Sequence, residues 1–98
     1  MKNMNAMRQM QDKLAKIQEA LGNETVEASV GGGVVVVTMT GHQKVVAVKI
    51  SPEAIDPADP AMLEDLITAA MNEAVDKSQQ LVSKRMDVVT RGLGLPGR

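Results

Sequence analysis

The sequence predicts an α+β chain in the order α-β-β-β-α, with a three-stranded antiparallel meander and a long C-terminal helix protruding from it. Three observations carry this expectation. Apolar residues recur first at helical spacing, then every second position among β-branched residues, then at helical spacing again. Glycine and proline cluster where the period changes. The last helical stretch is far longer than a small sheet can cover.

The first helix is expected over residues 3–21. Met4, Met7, Leu14, Ile17 and Leu21 fall at steps of three, four or seven, and Gly22-Asn23 closes the run. Methionine in its first half suits an adaptable seam, or a helix that frays at its start.

The strands are expected over 24–30, 34–40 and 44–51. Val26, Ala28 and Val30 alternate with Glu27 and Ser29, and Gly31-Gly32-Gly33 supplies the positive φ angles of a tight reversal. Val34 to Val37 is apolar throughout, which predicts a central strand covered on both faces. Gly41-His42-Gln43 makes the next turn. Val46, Val48 and Ile50 are then expected on one face, with Val45, Ala47 and Lys49 on the other.

The second helix is expected over 60–91. Asp59 is its candidate N-cap and Pro60 suits its first turn. An apolar stripe runs from Leu63 to Val89 without Gly or Pro, and the tail 92–98 reads as flexible. Some 30 residues at 1.5 Å each give roughly 45 Å. A compact chain of this size has a radius of gyration near 13 Å. The distal half must therefore protrude, lie on the first helix, or lie on a partner, and a two-fold homodimer is the economical answer.

Ninety-eight residues predict one domain, 1–98. The chain has no Phe, Tyr or Trp, so its aliphatic core is thin, which again favours dimerisation. Cysteine is absent, which excludes disulfides, thiol nucleophiles and thiolate-bound metals. No apolar leader or membrane span is legible, so a cytoplasmic location is the expectation.

Charge is sorted by segment. The net charge is only −1. Residues 1–20 nevertheless hold four basic residues against two acidic, and residues 76–98 hold five against two. The middle, 21–75, holds two lysines against eight carboxylates. A partner meets the local field, so two basic helices at the ends of an acidic body leave nucleic acid open as a partner.

Enzyme chemistry finds little support. His42 is the one histidine, and no His-x-x-x-His or Glu-x-x-His spacing accompanies it. Glu64-Asp65 and Glu53/Asp56/Asp59 read as capping and solvated-loop acids. Gly31-Gly32-Gly33 lacks the Lys-Ser/Thr of a phosphate loop. No catalytic residue, metal, cofactor or small-molecule substrate is expected.

The basic residues are more informative. Lys77, Lys84 and Arg91 are seven apart and share a helix face. Glu73–Lys77, Asp87–Arg91, Arg8–Asp12 and Asp12–Lys16 can pair locally at i,i+4. Arg85 has Leu81, Val82, Val88 and Val89 at three and four positions, none acidic, and Lys13 has no acid at i±4. Such residues on protruding helices fit a phosphate backbone, read by charge and reach. The lack of aromatics argues against single strands held by stacking.

Four stretches carry a family resemblance. They are Met7-Arg8-Gln9-Met10-Gln11-Asp12-Lys13-Leu14, then Gly32-Gly33-Val34-Val35-Val36 with Gly41 at the next turn, then Val48-Lys49-Ile50-Ser51-Pro52 followed by Met62-Leu63-Glu64-Asp65-Leu66-Ile67 and Ala69-Ala70-Met71-Asn72-Glu73-Ala74, and finally Gly92-Leu93-Gly94-Leu95-Pro96-Gly97. The third is the most specific. Over nearly its whole length the chain resembles the YbaB/EbfC family of bacterial nucleoid-associated proteins. Ser51 departs from it, standing where Asp often precedes the proline.

The resemblance implies a tight homodimer whose helices project like tweezers around double-stranded DNA, in a small cytoplasmic, nucleoid-associated protein. Lys13, Lys16, Lys84, Arg85 and Arg91 are then the first candidates for phosphate contact, with Arg8 and Lys77 next. Leu14, Ile17, Leu81, Val82, Met86 and Val89 are the expected dimer or helix seam. The alternative is a protein-interaction module that docks a partner on the Met-rich and long helices.

Overall fold

A computed structural model of the chain describes residues 2–92. Its elements are α1 (Lys2–Leu21), β1 (Thr25–Val30), β2 (Val35–Thr40), β3 (Val45–Ile50), a short 3-10 turn (Pro52–Ala54) and α2 (Pro60–Gly92). The sheet is antiparallel in the order β1-β2-β3. The α-β-β-β-α order, the meander and the long final helix are as the sequence predicts. Gly92 closes α2 rather than opening the tail, and the expectation of flexibility at 93–98 lies outside the described residues.

Local chemistry explains where each element stops. Gly31, Gly32 and Gly33 take φ of 63°, 74° and 94°, the left-handed region that a Cβ disfavours, and turn β1 into β2. Gln43 occupies the same region at φ 62° in the β2–β3 turn. At the start of α2 the Asp59 carboxylate accepts from the Met62 amide at 3.3 Å, so Asp59 is the N-cap and Pro60 the first helical residue. At the end of α1 the amides of Asn23 and Glu24 both reach the Ala20 carbonyl at 2.9 Å.

The core lies between α2 and one face of the sheet. Ala28, Val35, Val37, Met39, Ala54, Ala70 and Ala74 are buried there. Small residues on α2 let the helix axis approach the valines closely, and α2 runs along β1 and β2. The expectation that β2 is covered on both faces is corrected. Val35 and Val37 are buried, but Val36 and Thr38 are only half-buried, because one helix covers one face.

The register of β3 is also corrected. Val48 and Ala47 stand opposite Val37 and Thr38, but a bulge at Thr38/Met39 brings Val45 opposite Met39. The strict alternation expected from Val46 to Ile50 therefore breaks at Val46. β3 makes little contact with α2, which leaves Val45, Val46 and Val48 exposed at 43%, 59% and 42%.

The molecule is drawn out, 69 × 23 × 16 Å, with a radius of gyration of 18.7 Å against about 13 Å for a compact chain. The excess comes from α1 and the distal half of α2, which extend past the sheet and meet each other sparsely.

Candidate nucleic-acid interface

Both projecting helices start from one joint. The Gly41 amide donates to the Leu21 carbonyl at 2.9 Å and the Glu24 carbonyl at 3.1 Å, tying the end of α1 to the β2–β3 turn. Thr40 holds that turn together. Its hydroxyl oxygen accepts from the amides of His42 at 3.1 Å and Lys44 at 3.2 Å. Its carbonyl accepts from the buried Ser78 hydroxyl at 2.9 Å, which pins the midpoint of α2 to the same place.

From this joint α1 carries Arg8, Lys13 and Lys16, all exposed. α2 carries Lys77, Lys84, Arg85 and Arg91, also exposed. Leu14 and Ile17 on α1 are half-buried, as are Leu81, Val82, Met86 and Val89 on α2. That partial burial fits two helices sharing a narrow apolar seam with charge along its flanks.

The seven cations differ in what holds them. Lys77 Nζ donates to the Glu27 carbonyl at 2.8 Å and lies 3.7 Å from the Glu73 carboxylate, so it straps α2 to β1. The Glu73 contact is the i,i+4 pair expected from the sequence. Arg85 closes a two-pronged contact with Glu24, with Nε donating at 3.1 Å and a terminal nitrogen donating to the other oxygen. The hydrogen bond from Arg85 holds the Glu24 carboxyl below the usual carboxylate range, against partial desolvation, and the same contact raises the guanidinium. Among the described residues, Arg8, Lys13, Lys16, Lys84 and Arg91 close no ion pair. The expected pairs Arg8–Asp12, Asp12–Lys16 and Asp87–Arg91 are thus open.

Lys84 sits between two shallow depressions. One is lined by Val26, Lys77, Gln80 and Leu81, the other by Asp76, Gln79, Ser83 and Asp87. Both are open to solvent, and Gln80 and Lys84 line each of them. His42 is exposed, its ring lying against Gly22 at the end of α1. No group of three or more metal-ligating side chains occurs among the described residues. No helix among them is long and apolar enough to cross a membrane.

Sequence reasoning missed Glu24 as the partner of Arg85. A signal existed: an Arg with no acid within a helical turn, beside an apolar seam, needs its counter-charge from another element. It also missed the Ser78–Thr40 bond, although Ser78 lay visibly within the apolar stripe.

This architecture, a small sheet that launches two basic-flanked helices, has known counterparts. Residues 1–93 match the YbaB/EbfC DNA-binding family, and the chain belongs to that family. A protein of Moorella thermoacetica named nucleoid-associated protein is 52% identical, with 99% of this chain and 97% of that one covered. Another so named, from Desulforamulus reducens, is 48% identical over 98% of this chain and 91% of its own. The crystal structure of an uncharacterised protein from Helicobacter pylori shares the fold, with a TM-score of 0.72 at 17% identity over 91% of this chain and 90% of that one.

Proposed function

We propose that the protein is a non-enzymatic, nucleoid-associated DNA-binding protein of the cytoplasm. As a homodimer it grips duplex DNA between its projecting helices, through Lys and Arg contacts to phosphate and without base readout. The observation that carries this reading is the placement of Lys13, Lys16, Lys84 and Arg91. They are exposed, and among the described residues they close no ion pair, on the two helices that extend beyond the acidic body. Phosphate contacts position a protein on DNA by charge and reach, and these residues have both. The names of the relatives and the DNA-binding family point the same way.

Dimerisation is supported by the uncovered β3 face. An edge strand with three exposed valines is an association site unless something covers it. A second copy presenting the same face satisfies a two-fold axis. It would also add to a core built without aromatic side chains.

The test is a fluorescence-anisotropy titration of a duplex of about 30 base pairs at several salt concentrations, with the protein's oligomeric state fixed by light scattering. If a dimer neutralises about six phosphates, log K falls with log salt at a slope near −5. Lys84→Ala is expected to weaken binding and flatten the slope by about 0.9 for each lysine removed. Lys77→Ala is expected to change affinity less, because Lys77 already serves β1 and Glu73. A slope near zero, or no binding at low salt, defeats the reading. It would then favour a protein partner on the exposed Met4 and Met7.

A further inference from the structure

Glu24 is held in place by its own backbone. Its amide donates to the Ala20 carbonyl at 2.9 Å, and its carbonyl accepts from Gly41 at 3.1 Å. The side chain is thereby aimed from the α1–β1 junction at Arg85, 61 positions along the chain on α2. The contact uses both carboxylate oxygens and two guanidinium nitrogens. That fork is the geometry in which a guanidinium takes a phosphate. The pair is open to solvent, with 46% of the Arg85 side chain and 31% of the Glu24 side chain exposed. Exposed ion pairs are weak and exchange readily, and duplex DNA presents a charge every ~1.7 Å along its axis. Arg85 also stands next to Lys84, which among the described residues has no ion-pair partner.

We propose that Glu24 is an internal stand-in for phosphate, occupying Arg85 in the free protein and giving it up to the DNA backbone on binding. Glu24 thereby sets the affinity of the interface, an inference that rests on the DNA-binding reading above. Free protein keeps one arginine in reserve. A phosphate that reaches Arg85 must displace the carboxylate, so weak or transient contacts engage only the unpaired lysines. Lys77 is not held this way, because its main partner is a backbone carbonyl that belongs to the fold.

A rival role for the same contact predicts the opposite sign. If the pair only braces α2 against the α1–β1 junction, losing either partner weakens DNA binding. If Glu24 competes with phosphate, Glu24→Gln strengthens binding and Arg85→Gln weakens it. The experiment measures duplex affinity against salt for wild type, Glu24→Gln, Arg85→Gln and the double variant. Glu53→Gln serves as the control, since it removes the same charge from the exposed 3-10 turn. Glu24→Gln is expected to bind about two- to five-fold more tightly, the range by which an exposed pair can hold a group back. Its salt slope should stay close to that of wild type, because Arg85 reaches phosphate in both complexes and the number of phosphates neutralised is the same. The gain in affinity should vanish in the Arg85→Gln background, where the slope itself should flatten by about 0.9 for each arginine removed. An affinity matching Glu53→Gln, a loss of affinity, or a gain that survives without Arg85 each overturns the proposal. Should a variant fold poorly, the Arg85 Nε–H resonance of the wild-type protein gives a second readout. A shift on adding duplex supports exchange, and an unmoved signal refutes it. Wild type that fails to bind DNA at all removes the parent reading along with the inference. Wild type that binds while Glu24→Gln is indifferent removes the inference alone.

Discussion

The Ser78 hydroxyl donates to the Thr40 carbonyl at 2.9 Å, with Ser78 fully buried at the middle of α2. The bond joins the helix to the one turn that also receives the end of α1. Thr40 accepts at its carbonyl from the Gln43 amide as well, so the acceptor keeps one partner when Ser78 is changed. Ser78→Ala is therefore expected to cost about 1 kcal/mol, the usual net value of one internal hydrogen bond. Ser78→Leu inserts volume where none is free and should cost about 1–3 kcal/mol. Urea denaturation followed by circular dichroism measures both. A Ser78→Leu variant as stable as wild type would show that α2 does not seat on this joint.

Gly41 is needed for close approach. A Cβ there would lie 2.7 Å from the Leu21 carbonyl oxygen and 3.0 Å from the Leu21 Cβ. Backbone cannot swing aside as a flexible side chain can, so the end of α1 would have to move off the β2–β3 turn. Gly41→Ala is expected to destabilise by about 1–3 kcal/mol, the scale of overpacking in a tight site. Gly32→Ala meets nothing within 4 Å but must adopt φ of 74°, and its cost is the left-handed penalty of about 1–2 kcal/mol. Asparagine tolerates that region better than alanine. Gly32→Asn should therefore recover part of the loss at 32, while Gly41→Asn should recover nothing. Thermal melts of the four variants decide it.

The order of elements was legible because each is announced by local chemistry. The three glycines mark the first reversal, and Asp59-Pro60 marks the start of α2 before any tertiary contact exists. The family was legible in the motifs that follow the sheet. Contacts that depend on assembly were not. Periodicity shows that Val34 to Val37 is apolar, but not that a single helix leaves Val36 half-exposed. The bulge at Thr38/Met39 is a property of how β2 and β3 pair, which no residue of β3 declares. At the interface, Glu73–Lys77 was visible because four positions bring two side chains together on a helix. Glu24–Arg85 was not, because only the return of α2 past the α1–β1 junction brings those residues together.

The depressed carboxyl of Glu24 gives stability a defined pH dependence. Arg85 hydrogen-bonds the charged form, so Glu24 binds its proton less readily in the folded chain than in the unfolded one. The resulting stabilisation is complete above the ordinary carboxylate pKa of about 4.3 and disappears as pH falls through the lower folded value. Arg85 stays charged throughout this window. Wild type is therefore expected to be more stable than Glu24→Gln at about pH 7, with the gap closing as pH falls below the ordinary carboxylate range. Urea midpoints of both proteins across that range check the sign. A gap that stays constant on acidification would mean that the charged pair contributes nothing to folding.

Val48 offers the sharpest probe of the proposed dimer. It stands opposite the fully buried Val37, on the same side of the sheet as α2, yet remains 42% exposed because α2 makes little contact with β3. In an isolated chain Val48→Asp places a carboxylate where water already has access, so folding should suffer little. In a dimer that buries this face, the same carboxylate loses its water and gains no partner, which costs several kcal/mol. A loss of about 3 kcal/mol weakens association roughly 100-fold. Val48→Asp is thus expected to shift the protein from dimer to monomer at micromolar concentration while its circular dichroism stays native. DNA affinity should fall with it, because two half-interfaces joined in one particle bind far more tightly than either alone. Lys49→Asp, one residue along on the other side of β3, introduces the same carboxylate with a larger change of charge, since it also removes an ammonium, and should still leave the dimer intact. Light scattering of the two variants separates the faces. Equal dissociation by both would place the association surface on the strand edge, and dissociation by Lys49→Asp alone would move it to the opposite side of the sheet.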